Sequence, residues 1–548
     1  MTTPFEISDV LTRRWADADP ITATTLGIVG RDHLCTDYSP EGHEHRTALY
    51  REVRDRLFPF CSDDDPVLAL AARVTTGWLD EQIEDHEIGK WRRDLNHVYS
   101  PFQLIRDVFD VMERDTSDGW ANIISRLEGF GEALDGYRLS LEEGLDADDT
   151  VAVRQVESLL EQVEAAASDD SRFLSFIDQA GDAGVDTEMV RAAVEQTRGA
   201  CAEFADWLRE DYLPAARQPD AVGRETYMRE ADRHLGLMID PEETYEWGWD
   251  EVHRIRDEMV ATSAEIDADR SVDEVIELLE TDPGRAAATR EEFVEFISQI
   301  QRQAIDHLAG EHFDVPEELR TVTVNIAPPG GSLGAWYVSP AEDFSRPGSI
   351  WYAPGERDVL PYWQEVSTAY HEGFPGHHLQ VGTAVLEREN LSRFQRSVIW
   401  YSGAGEGWAL YAERLMDELG FFEKPEYRLG LLASQLFRAL RVVVDIGCHL
   451  ELRIPDHAPL HTSEVWSYQA AVDYLEHVGL QPHDVAVSEV LRYLGWPGQA
   501  ISYKVGEREI LDMRERARGH NEFELKEFHR RMLAAGPIRL DQLSGEMA

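Results

Sequence analysis

Apolar residues recur at three- and four-residue intervals through most of the first 315 residues, as in 151–167 (VAVRQVESLLEQVEAAA) and 244–266. That period commits the chain to amphipathic helices packed on one another. Breaks fall at 213–223 (LPAARQPDAVG), at Asp240-Pro241 and at 281–284 (TDPG), where proline, glycine and aspartate interrupt it. The character changes near Thr321. TVTVNIA, AWYV and SIWYA are short β-branched or aromatic runs separated by the turn material PPGGSLG and SRPG, and they predict a small antiparallel sheet. Helical periodicity resumes from about Pro361. At 548 residues the chain is too long for one ordinary domain. The expected fold is mainly α, with two helical lobes around a deep cleft: a helical wall over 1–315 and a chemistry-bearing lobe over 316–548 that includes the sheet.

The charge balance narrows the partners. Acidic residues number 105 against 52 basic ones, a formal net charge of −53, which should repel nucleic acid and anionic membranes. Only Lys90, Lys424, Lys504 and Lys526 are lysines, so nearly all positive charge is arginine. An acid-rich, lysine-poor surface fits a halophilic chain whose self-repulsion is screened by concentrated counterions, and predicts loss of stability at low salt. With 43% hydrophobic residues and 14 tryptophans, the composition excludes disorder. Cys35, Cys61, Cys201 and Cys448 lack paired spacing, which fits a reducing compartment better than a disulfide framework. No segment approaches the apolar length of a membrane span, and a cytoplasmic location is expected.

Chemistry concentrates at His371-Glu372-Gly373-Phe374-Pro375-Gly376-His377-His378. In HExxH zinc sites the histidines stand four apart, so both reach one ion while the glutamate serves as base. Here the spacing is wider. On a regular helix His377 would point about 120° away from His371, and His378 would lie about 10.5 Å further along. Neither could share an ion whose bonds are about 2.1 Å. Pro375 removes a backbone donor and Gly376 adds freedom, so the helix must distort. Absorbing two residues brings in His377, the favoured ligand; absorbing three brings in His378.

A third ligand is expected from a following helix, and Glu406 opens EGWALYAE 29 residues after His377. Glu413, seven residues on, faces the same way, so one glutamate can bind metal and the other orient a histidine. Arg438, Arg441, Asp445 and His449 share one helix face within an apolar stretch, and buried charges of this kind need partners. Arg438 or Arg441 can take a substrate carboxylate, and His449 or Tyr503 can donate to an oxyanion. An edge strand near Trp336 and Tyr337 can pair with an extended peptide. Lys504 stands out because lysine is scarce here.

Together, HEGFPGHHLQ, EGWALYAE, RALRVVVDIGCH and PGQAISYKVGEREI resemble the domain of unknown function 885 family, which is grouped with zinc peptidases of the gluzincin type. The resemblance is strongest from about Thr321 onward. It implies a gluzincin-like, mainly helical architecture, and His371, Glu372, His377 and Glu406 match its motif positions. The function that follows is a zinc-dependent peptidase acting on short peptides, in which the metal activates a water and Glu372 is the general base. Another divalent metal could replace zinc. The competing readings are a hydrolase of non-peptide amides or esters, and a catalytically silent binding protein on the same fold.

Overall fold

The computed structural model describes residues 3–327, 334–355, 357, 359–519 and 523–548. The chain forms two compact units, one of Met1–Ala221 with Ser392–Ile399 and Leu494–Trp496, the other of Val222–Leu391, Trp400–Tyr493 and Pro497–Ala548.

The first unit is helical, and its helix starts are written in the sequence. Pro4, Pro20, Pro40, Pro66 and Pro101 each occupy the first turn of a helix behind a Thr, Asp or Ser cap, where a missing N–H costs nothing. A core cluster in it gathers Phe102, Trp120, Phe130, Tyr137, Phe173 and Phe204. The amphipathic stretch expected at 151–167 is the helix Val153–Ala167, with Ala152 as its N-cap.

The second unit starts well before the expected boundary near 315, at the 213–223 break. The helices α1 (Pro241–Ile266) and α2 (Arg290–Leu308) belong to it because their inward faces are completed by helices from the other end of the chain. Lys504 shows how. Its ammonium, 1% exposed, donates to Gln435 and Glu507 at 2.5 Å each and lies 3.2 Å from Glu251 on α1. A compact charge with three donors suits three converging acceptors, which accounts for this lysine in a lysine-poor chain.

The sheet contains β1 (Thr323–Ile326), β2 (Gly334–Val338) and β3 (Ser349–Ala353) in the order β1-β3-β2. The expected antiparallel pairing holds for β2 on β3, with Trp336 opposite Trp351; β1 joins β3 in parallel. Among the described residues β2 is therefore an edge strand. The turn expected within 328–333 lies outside the described residues. The helices that follow are α3 (Glu365–Glu372), α4 (His377–Leu386), α5 (Ser402–Glu418), α6 (Pro425–His449), α7 (His483–Gly495) and α8 (Ser502–Arg518). No helix among the described residues is long and apolar enough to cross a membrane.

Candidate metal centre

The helix carrying His371 ends outright. α3 stops at Glu372, the Phe374-Pro375 peptide is cis, and α4 begins at His377. This is the distortion the Pro-Gly pair demands, taken as a break between two helices. Gly376 is required at the break: a Cβ there would lie 2.0 Å from the His371 carbonyl oxygen. The loop is held from outside by Gln301 of α2, which donates to the Ala369 carbonyl at 2.7 Å and accepts from the Phe374 N–H at 2.6 Å. Trp408 of α5 donates to the Pro375 carbonyl at 2.9 Å.

With this break the two imidazoles face one carboxylate. Glu406 Oε2 lies 3.4 Å from His371 Nε2 and 3.5 Å from His377 Nε2, and the rings stand nearly perpendicular with centroids 4.9 Å apart. These separations are longer than good hydrogen bonds. Ligands about 2.1 Å from one ion at the corners of a tetrahedron stand about 3.4 Å apart, so the donor set fits a divalent metal such as zinc. Among the described residues, these three form the one group of histidines and carboxylates able to hold a metal.

Glu413 lies two turns further along α5. Its Oε1 accepts from His371 Nδ1 at 2.7 Å, and its other oxygen accepts from Ser367. That bond holds the ring by Nδ1 and turns Nε2 toward Glu406. His377 Nδ1 is buried with no hydrogen-bond partner among the described residues, so only one of the two imidazoles has such an orienting carboxylate.

The buried charges shift one another. For His371, burial works against protonation, but Glu406 and Glu413 override it and raise its pKa to about 10. Burial likewise opposes ionisation of Glu406, and the two histidines still hold it well below the usual carboxylate range. Glu372, 4.0 Å from His371 Nε2, moves the other way: burial raises it, with His371 and His377 pulling back.

His378 is not part of the cluster. Its Nε2 meets the Leu319 carbonyl at 3.0 Å, its Nδ1 meets the Tyr337 hydroxyl at 3.1 Å, and burial lowers its pKa to about 4. Tyr337 is thus engaged by a histidine, while Trp336 on the edge strand is 40% exposed and stacks on Trp351.

Tyr503 does approach the centre, its ring stacked toward His371 at 6.5 Å. It opens α8, and Gly407 of α5 and Gly506 of α8 let these helices meet backbone to backbone: a Cβ on Gly407 would be 2.5 Å from Gly506. Burial, then Glu406, raises the Tyr503 phenol. Arg441 lies over the Tyr503 ring at 4.6 Å, and the field of Arg438 reaches Glu372 and Glu413.

His449 does not approach the centre. It is fully buried, its ring tilted against that of Tyr227 at 5.6 Å, with Nε2 3.0 Å from the Tyr493 carbonyl, and eight residues place it about 12 Å along α6 from Arg441. Sharing a helix face was enough to group these residues but not to make them reach one point.

Sequence reasoning missed Gln301, Ser367 and Trp400. The last is 44% exposed, with its ring 6.1 Å from that of His377. Gln301 carries no sequence signal at all, since it comes from a helix 70 residues upstream of His371.

A family model described as "Bacterial protein of unknown function (DUF885)" matches residues 20–547. Among solved structures, one of a "putative lipoprotein" from Colwellia psychrerythraea is 23% identical, has a TM-score of 0.85, and covers 99% of this chain and 98% of its own. Another, a "putative lipoprotein of unknown function" from Shewanella oneidensis, is 16% identical with a TM-score of 0.74, covering 100% and 99%. At these identities the likeness is one of fold. No match was found among curated proteins.

Proposed function

The chain belongs to the DUF885 family of bacterial proteins of unknown function, and we propose that it is a metal-dependent hydrolase of gluzincin-like architecture that cleaves short peptides. The observation that carries this reading is the convergence of His371 Nε2, His377 Nε2 and Glu406 Oε2 within 4.8 Å of one another, beside a carboxylate that is not part of the set. A zinc ion held there would act as a Lewis acid and lower the pKa of a bound water toward neutrality.

The chain's own residues supply the rest. Glu372 is buried beside the ligands with its pKa raised, which suits a group that takes a proton from water and passes it on. The water oxygen bonds to the carbonyl carbon, the C–N bond breaks, and the proton carried by Glu372 goes to the departing amine. The Tyr503 hydroxyl, on a ring stacked toward His371, is the donor available to the developing oxyanion. Glu413 and Ser367 keep His371 aligned throughout. The β2 edge packs against α3, where an extended peptide can add as a strand beside Glu372.

Zinc-loaded protein should hydrolyse short peptides, and Glu372→Gln should lower turnover by about 10²- to 10⁴-fold with one metal per chain retained by elemental analysis. Unchanged turnover in that variant defeats the assignment. A cytoplasmic location has the support of four cysteines that form no disulfide. The neighbours described as lipoproteins speak for the envelope, and cell fractionation distinguishes the two.

A further inference from the structure

Beside the metal centre lies a cationic cluster whose donors exceed its acceptors. Arg441 is 8% exposed; its Nε donates to the Tyr493 hydroxyl at 3.1 Å and its Nη2 to Glu489 at 2.9 Å. Both bonds lie on one edge of the guanidinium. Nη1, on the opposite side, is buried with no hydrogen-bond partner among the described residues.

Glu489 does not balance the cluster, because it also receives Nε and Nη2 of Arg492. Two arginines therefore share one carboxylate. One turn back on α6, Arg438 has no carboxylate within ion-pair distance among the described residues. Its Nε is buried without a partner, and its Nη1 makes only a 3.4 Å bond to the Ser434 carbonyl. A buried guanidinium donor left unpaired carries a desolvation penalty, and two of them three residues apart on one helix face form an incomplete anion site.

The position sets the ligand's length. Arg441 Cζ is 4.6 Å from the Tyr503 ring centroid, which is 6.5 Å from that of His371; together these distances cap the separation of the guanidinium carbon from the His371 ring centre at about 11 Å. Each extended residue spans about 3.5 Å, and a carboxylate stands about 3 Å from its donor. One or two residues fit between a bond cleaved at the metal and a carboxylate held by arginine.

We infer that Arg438 and Arg441 bind the free C-terminal carboxylate of the substrate, so that the chain is a carboxypeptidase releasing one or two residues. The inference rests on the hydrolase reading and deepens it. Guanidinium suits this task because its planar fork matches a carboxylate. Arg441 is prepositioned by Glu489, Tyr493 and the Tyr503 ring, and the half-buried Arg438 adds a second guanidinium one turn back on the same helix face.

Zinc-loaded Glu372→Gln protein allows binding to be read without turnover. By titration calorimetry it should bind an N-blocked tripeptide with a free C-terminus about 10- to 100-fold more tightly than the same peptide amidated. Arg438→Gln, and separately Arg441→Lys, should reduce that ratio toward one with metal content unchanged. Arg441→Lys keeps a cation beside Glu489 if larger changes prevent folding. In the active protein, mass spectrometry of longer peptides should show loss of one or two residues from the C-terminus only. Equal affinity for acid and amide, or internal cleavage, overturns the inference and leaves the hydrolase standing. Absence of any hydrolysis by the zinc-loaded parent defeats the hydrolase reading, even where the acid still binds selectively.

Discussion

The first unit also brings two histidines and a glutamate together, and to a different end. His43 and His86 both stack on Trp91, with centroids 5.3 Å and 5.9 Å away. Their nitrogens are spent on separate partners: His43 Nδ1 accepts from Arg46 at 3.0 Å, and His86 Nε2 meets Glu44 at 3.0 Å. Burial, then Arg46, pushes His43 well below the usual imidazole range. In the second unit the Nε2 atoms of His371 and His377 instead converge on one oxygen, at 3.4 Å and 3.5 Å, separations longer than good hydrogen bonds. Residue types and proximity are alike in the two places. What differs is backbone geometry: His43 and His86 come from two separate helices, Pro40–Leu57 and Pro66–Glu87, whereas His371 and His377 flank one four-residue break that brings both Nε2 atoms to the same carboxylate.

The largest effect expected from this contrast is on metal content. His371→Ala or His377→Ala should abolish stoichiometric zinc binding measured by elemental analysis after dialysis, whereas His43→Ala and His86→Ala should leave one zinc per chain. Loss of metal from the His43 or His86 variants would mean that the two clusters had been assigned the wrong way round.

How much of this could be read from the chain follows the same division. The helical stretch at 151–167 was legible because the period of its apolar residues acts locally. So was the need for a distortion at Pro375-Gly376, since proline and helix geometry conflict within one turn. The sequence favoured His377 over His378, but did not show what holds His378 away. Leu319 and Tyr337 do so, engaging His378 from elements 59 and 41 residues away. The unit boundary was misplaced for a similar reason, because α1 looks like the helices before it and is claimed by Lys504 from far downstream. His449 shows the opposite error: a periodicity that was real, read as convergence on one point.

A smaller effect comes from the buried group near His449. Asp445 is fully buried, accepts from Tyr227 at 2.8 Å and from the Gly498 N–H at 3.0 Å, and burial raises its pKa to about 7. Its folded pKa is above its unfolded one. The stability this provides is therefore fully present below about pH 4 and lost as pH rises through about 7. A gap of this size corresponds to roughly 4 kcal/mol. Asp445→Asn should be more stable than the parent at pH 8 by up to that amount, with no gain at pH 4, in urea midpoints taken at constant high salt. A gain of equal size at both values would mean that titration is not the cause.

Next in size is the carboxylate behind His371. Glu413→Gln keeps the shape but weakens the hold on Nδ1, and should lower zinc affinity about 10- to 100-fold in competition with a chelator dye. Glu44→Gln, at the corresponding position of the first cluster, should not change it. A Glu413→Gln variant with parental affinity would make Glu413 a structural anchor for Ser367 and not an orienting partner.

The smallest effect separates two glycines. Gly199 sits inside the helix Thr187–Trp207 of the first unit with nothing within 4 Å of an added Cβ, so alanine there only restricts the unfolded chain and improves helix propensity. Gly199→Ala should therefore stabilise by about 0.5–1 kcal/mol. At Gly376 the same added methyl meets the His371 carbonyl oxygen at 2.0 Å, within the break that aims both histidines. Gly376→Ala should thus lower stability and zinc affinity together. The pair of variants, compared by urea midpoint and chelator competition, asks whether the break is a constraint on the metal centre or merely a loop between helices. If Gly376→Ala matches Gly199→Ala in both measurements, the backbone at 373–377 does not set the histidine geometry, and the contrast between the two clusters loses its cause.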